Sequence, residues 1–352
     1  MKGAEVMFEK IAAWLVPATF AVLALGMPGS PGRASAGQIK LIRVATLAPK
    51  NSPFVRSFEQ LDQAIRQYTN GAVGFQLYAS GVAGDETNVV RKMRVGQLDS
   101  GMVTSDGLGL MVPEVNVLRA PGVISTYQQF EAVTKEMLPE FDQIFDQKGY
   151  KLISWGEAGE YRYFSREPVS KPSDVKKMRP WLWPQSPVMQ EIWRVIGAVP
   201  VPLGLPEVYG ALQTNMIDLV QSTALAFVAL QWQTTSLKYI TEDSQGVLLG
   251  AWVMNKQVFD ELAPDVQKKL VELARTNSAR QSVQTRQSDQ GALRRLIERK
   301  YVSTPYSAAA KLEFANIYST VRERMVGRIY SAAMLARVSE LARTPGNVQA
   351  KR

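Results

Sequence analysis

Between residues 39 and 103 the chain alternates strand-like and helix-like stretches, and this alternation limits the possible folds more than any other feature. Residues 39–47 (IKLIRVATL) are a β-rich run. Ser52 and Pro53 then supply an N-cap and a first-turn proline, and Phe54, Phe58, Leu61 and Ile65 recur at helical spacing until Asn70-Gly71 ends the helix. Residues 73–78 alternate as a strand. A loop at 81–84 leads to Asp85, an expected cap for a helix reaching about Val95, and residues 98–103 form the next strand. A β-α-β-α-β order predicts a mostly parallel sheet with right-handed crossovers. Ligands in such sheets sit beyond the C-terminal strand ends, here near 48–54, 79–86 and 104–107.

The same alternation continues. A helix is expected over 127–147, then a strand from 150 that runs into Tyr161-Arg-Tyr-Phe-Ser165. Pro172 opens a turn before Met178-Arg-Pro-Trp-Leu-Trp-Pro184, where Trp181 and Trp183 stand between two prolines. A further helix, the segment 198–203 and the run 206–222 follow. Residues 247–254 read as an apolar strand, a long helix reaches about Arg299, and 307–342 is again helical.

Composition removes several function classes. The 352 residues contain no histidine and no cysteine. Ser-His and Cys-His nucleophile pairs, histidine zinc sites and disulfides are therefore excluded, and no paired-carboxylate or Gly-rich phosphate motif takes their place. We expect no enzyme activity, no catalytic residue, no metal and no cofactor. The net charge is +9, but the 41 Lys and Arg are scattered without a dense block, which argues against nucleic-acid binding. Residues 1–36 read as an export signal: Lys2 and Lys10 precede an apolar run at 11–25, and Ala34-Ser-Ala36 is a cleavage site before Gly37. That run is about 15 residues against about 20 for a membrane span. The expected location is the periplasm, in a soluble form.

At this point the motifs resemble a known family. The strand ending near a proline, the Tyr-Thr-Asn-Gly71 helix end and the Gly-x-x-Gly-Asp-Glu86 loop form an early signature. The later one is more specific: Pro172-Ser-Asp-Val-Lys-Lys-Met178, Gly197-Ala-Val-Pro-Val-Pro202 and Glu207-Val-Tyr-Gly-Ala-Leu-Gln-Thr-Asn215 with Ile217-Asp218. The chain resembles the periplasmic solute-binding proteins of TRAP (tripartite ATP-independent) transporters, the DctP-like family. The resemblance implies an α/β, two-lobed periplasmic binding protein fold (type II-like), with the chain crossing between lobes and long C-terminal helices. The lobes would comprise 37–159 plus 248–287, and 160–247 plus 288–352. It implies a small-molecule ligand trapped by hinge closure and handed to TRAP membrane permease subunits. A lipid-carrier or assembly module with a helical-repeat partner protein is the alternative from another class.

The family's usual ligand is an organic acid held by an arginine, whose planar fork gives two parallel charged hydrogen bonds. Aligned on that motif, this chain places Trp181 where the arginine belongs, with Arg179 two positions earlier and Arg162 matching a second arginine often found at the strand entering lobe two. Indole offers one N–H and a large apolar face. The first expectation is therefore a hydrophobic or aromatic ligand, and the second an organic acid held by Arg162 or Arg179. Candidate ligand contacts are Trp181, Trp183, Arg162, Gln221, Ser222, Arg179, Tyr209, Phe227, Trp252 and Phe54, with Leu219 and Trp232 as additional apolar lining.

Overall fold

A computed structural model describes residues 39–343. The expected export signal and its cleavage point at Ala36/Gly37 lie outside these residues.

The chain begins with strand β1 (Lys40–Thr46), helix α1 (Pro53–Tyr68) and strand β2 (Val73–Tyr78). Ser52 caps α1 by accepting from the Val55 N–H, and Val55, Phe58, Leu61 and Ile65 are its buried face. Each of these side chains stabilises the fold by about 1.5–3 kcal/mol through burial. Next come α2 (Glu86–Arg94), β3 (Ser100–Thr104), α3 (Ser105–Met111) and a 3₁₀ turn at Pro113–Arg119. Helix α4 (Tyr127–Gln147) carries a full capping box of Thr126 and Gln129. Strand β4 (Tyr150–Ser165) is 16 residues long.

The second half contains α5 (Pro172–Val175), β5 (Trp181–Leu182), α6 (Pro187–Ile196), β6 (Val201–Pro202), α7 (Leu205–Gln213), β7 (Leu219–Thr223), α8 (Ala224–Ala229) and β8 (Tyr239–Thr241). Then follow β9 (Gly246–Asn255), α9 (Lys256–Asp260), α10 (Pro264–Glu298), β10 (Val302–Thr304), α11 (Ala308–Met325) and α12 (Ala332–Arg343). The last helical region of the sequence is thus two helices, parted near Gly327, whose φ of 77° no helix can hold.

The main sheet has eight strands in the order β10-β8-β4-β9-β3-β1-β2, with β7 also paired to β4. Only part of it is parallel: β2, β1 and β3 run together, β9 runs antiparallel between β3 and β4, and β7 and β8 run antiparallel to β4. The sheet is mixed, not mostly parallel as the element order predicts. The βαβ crossovers dictate direction only within β1–β3; β9 enters from the far end of the chain and its direction is free of that rule. Strand β4 pairs with β9 along its first part and with β7 and β8 along its last. One continuous strand therefore serves both ends of the sheet. Between Glu157 and Glu160 its register shifts, and Gly159 there has φ 110°. A Cβ on Gly159 would lie 2.6 Å from the Asp289 carboxyl carbon, so both the angle and the space require glycine.

Two hydrophobic clusters lie on this frame. The smaller joins Ile42, Val44, Phe75 and Trp252 to α1 and the start of α10. The larger covers α2, α3, α4 and the elements from β5 to α12. Helix α10, about 52 Å long at 1.5 Å per residue, packs against α1, β4 and α8.

Candidate functional site

The ends of β1 and β3, the middle of β4 and the segment around β5 converge on a cavity of ≈ 290 Å³. Its wall includes Thr46 to Ala48, Phe54, Glu86, Thr104 and Asp106, so two of the three expected strand-end regions contribute directly. From the third, 79–86, only Glu86 reaches the wall. Helix α10 adds Asn277, Ser278 and Gln281.

Six of the ten expected contacts line this cavity: Phe54, Trp181, Trp183, Gln221, Ser222 and Trp252. Trp232 lines it as well, while Leu219 does not. Trp181 and Trp183 are two apart on an extended segment and face the same way, with ring centroids 5.5 Å apart. Trp232 meets Trp181 edge-on at 5.8 Å. The sequence reading allowed each indole one N–H for a ligand, but the structure uses both internally. Trp181 donates to the Leu203 carbonyl at 2.9 Å, and Trp183 donates to Asp85 Oδ2 at 2.9 Å. Both tryptophans thus offer the cavity ring surface alone. Asp85 makes no capping bond to α2; its side chain serves Trp183 instead.

The other four expected contacts lie elsewhere. Tyr161 faces the cavity, so Arg162, next along the strand, points to the opposite side and pairs with Glu160. Arg179 precedes β5 and is drawn to Asp218, which accepts from its backbone N–H, Nε and Nη2. The Tyr209 hydroxyl bonds Thr234 and Gln213. Phe227 is fully buried and stacked on Phe164 at 4.1 Å, behind the wall.

The cavity's arginine is one that the sequence did not mark. Arg119, at the end of the 3₁₀ turn, pairs with Asp106 in a buried contact, their side chains 4% and 2% exposed. Arg119 Nη1 also donates to Ser186 Oγ at 3.2 Å, and Ser186 is the N-cap of α6. Among the described residues its buried Nε–H has no partner. Arg119 stays charged because Asp106 offsets the desolvation that opposes its charge.

Glu86 is the second unmarked group, although it stands in the quoted glycine loop. It accepts from the Thr104 backbone N–H at 2.6 Å and from Thr104 Oγ1 at 2.8 Å. Burial pushes its carboxyl up to about 8, with Asp106 and Asp85 adding to the rise. A Cβ on Gly107 would come within 2.7 Å of Glu86 Oε2, so that glycine makes room for the carboxylate. Glu157, also on the wall, pairs with Arg286. Among the described residues no group of three or more acidic side chains gathers to hold a metal ion. The cavity can therefore bind and orient a small solute through ring faces, one acid and one arginine.

The model of the DctP family, bacterial extracellular solute-binding protein family 7, matches residues 44–327. A solute-binding protein of Albidiferax ferrireducens is 28% identical over 212 residues, which is 59% of this chain and 62% of that one. The sugar acid binding protein of Advenella mimigardefordensis, solved with galactonate, superposes with a TM-score of 0.81 at 18% identity, over 88% of this chain and all of that one. A TRAP periplasmic solute binding protein from Ralstonia eutropha H16, solved with (S)-2-acetolactate, gives 0.80 at 20% identity, over 86% and 99%. The fold is that of the two-lobed TRAP periplasmic binding proteins.

Proposed function

Because the chain belongs to bacterial extracellular solute-binding protein family 7, we propose that it is a TRAP-type periplasmic receptor that traps a small organic acid in the ≈ 290 Å³ cavity and delivers it to membrane permease subunits. The observation that carries this reading is Arg119: an arginine on the wall of a largely apolar cavity, with a buried Nε–H that has no hydrogen-bond partner among the described residues. Buried donors are rarely left unpaired, so the ligand is the natural acceptor. The structural neighbours, solved with galactonate and acetolactate, support an acid over the hydrophobic solute expected from Trp181. The tryptophans then pack the ligand's carbon body. They replace the family arginine as a wall, and Arg119 supplies the charge.

Closure is expected to turn on β4. The register shift at Gly159 and the carboxylate of Asp289, which accepts from the Glu160 and Leu225 N–H groups, tie β4, α8 and α10 together at one point. This supports a division between lobes near residues 159 and 248, with α10 crossing near 288. On this division the Trp183 bond to Asp85 and the Arg119 bond to Ser186 would run between the lobes, as closure around a ligand requires.

Native mass spectrometry of the purified protein, followed by identification of the released small molecule, tests the reading. An organic acid of mass matching the mass difference is expected. A retained lipid or uncharged hydrocarbon would overturn it.

A further inference from the structure

Besides tyrosine, four ionisable side chains reach the cavity wall: Glu86, Asp106, Arg119 and Glu157. Asp106 is paired with Arg119 and Glu157 with Arg286. Glu86 is not paired: among the described residues its partners are the Thr104 N–H and hydroxyl, with no lysine or arginine. These two donors suit an ionised carboxylate, and Gly107 keeps the space open for it. What the group lacks is a counter-ion. Its neighbour Asp85 has Oδ2 accepting from Trp183 and, among the described residues, a buried Oδ1 with no partner. This acidic end adjoins the indoles, since the Trp183 bond to Asp85 sets that ring beside Glu86's loop and Trp181 lies 5.5 Å further on. Indole faces attract cations, and most strongly where water is excluded.

We propose that the solute carries a positively charged nitrogen that rests against Glu86 and the tryptophan rings, so that the site selects small zwitterionic acids. The inference rests on the receptor reading of this cavity and names its ligand class. The solute's carboxylate meets Arg119 and its cation meets the acid. Groups facing Glu86 agree with this: Asp85 before α2 and Asp106 on α3 are both acidic.

Without a cation, burial holds Glu86 protonated up to about pH 8. A cationic solute binds the ionised form and displaces that proton, so its affinity rises as pH increases towards 8, by at most about tenfold per unit. A solute that accepts a hydrogen bond from protonated Glu86 would show the opposite slope.

Calorimetry and thermal-shift measurements with matched pairs of acids test the proposal. Suitable pairs are (trimethylammonio)acetate with 3,3-dimethylbutanoate, and 4-aminobutanoate with pentanoate. Within a panel of such pairs, cationic members are expected to bind about tenfold or more tightly than their uncharged isosteres, the scale of one charge-assisted contact. The preference should disappear in Glu86→Gln, and wild-type affinity should rise between pH 6 and 8. Equal binding of the isosteres overturns the inference while leaving the organic-acid reading intact. Failure of every cationic member to bind, or affinity that falls with pH, also overturns it. Equally tight binding by amines that lack a carboxylate would instead sink the organic-acid reading and leave the Glu86 contact standing.

Discussion

Arg119→Met removes one member of a pair that is buried on both sides. The side chains are 4% and 2% exposed, and Arg119 is the cation paired with Asp106 among the described residues. The Coulomb attraction of such a pair offsets two desolvation penalties, so the intact pair adds little net stability. Breaking it is different, because the surviving Asp106 keeps its penalty with nothing to offset it, at a cost of about 3–5 kcal/mol. Loss of the Arg119 bond to Ser186, the α6 cap, adds about 1 kcal/mol. The double variant Asp106→Leu/Arg119→Met has no stranded charge and should recover most of the loss. The assay is urea unfolding of the wild type, both single variants and the double, read as a double-mutant cycle. A cost below about 1 kcal/mol for Arg119→Met, with an unchanged urea slope, would show that water reaches the pair and would refute the buried-charge argument.

Three other outcomes are expected. Gly159→Ala forces φ 110° on an L-residue and drives its methyl into the Asp289 carboxylate, so unfolding stability should fall by about 1–3 kcal/mol, measured by chemical denaturation. Raised carboxyls at Glu86 (about 8) and Asp289 (about 6) hold protons in the folded state that the unfolded chain releases near pH 4 to 5. Their contribution is complete at low pH and is lost as pH rises through those values. Stability of the ligand-free protein should therefore decline from about pH 5 to 8, by no more than about 1.4 kcal/mol per unit for each group, and Glu86→Gln should flatten the upper part of that slope in thermal melts. Arg162→Ala should leave solute affinity within about twofold by calorimetry, because the side chain pairs with Glu160 away from the cavity, and a single peripheral contact contributes little; loss of binding would place it in the site.

The sequence by itself determined the local elements and the character of the wall. Ser52 with Pro53 and the spacing of Phe58, Leu61 and Ile65 specify α1, because capping and helical periodicity involve residues only three or four apart. The spacing of Trp181 and Trp183 put both rings on one side for the same reason. Only the tertiary structure decided which charges the site presents. Arg162 and Arg179 are cationic in any reading, yet Glu160 and Asp218 claim them. Arg119 has no motif around it and gains its role because the 3₁₀ turn brings it onto Asp106 and α6. Glu86 was visible as a loop residue, but its burial depends on Gly107, Thr104 and the packed sheet behind them. Periodicity is a property of neighbours along the chain, whereas desolvation and ion pairing depend on which distant residues arrive alongside.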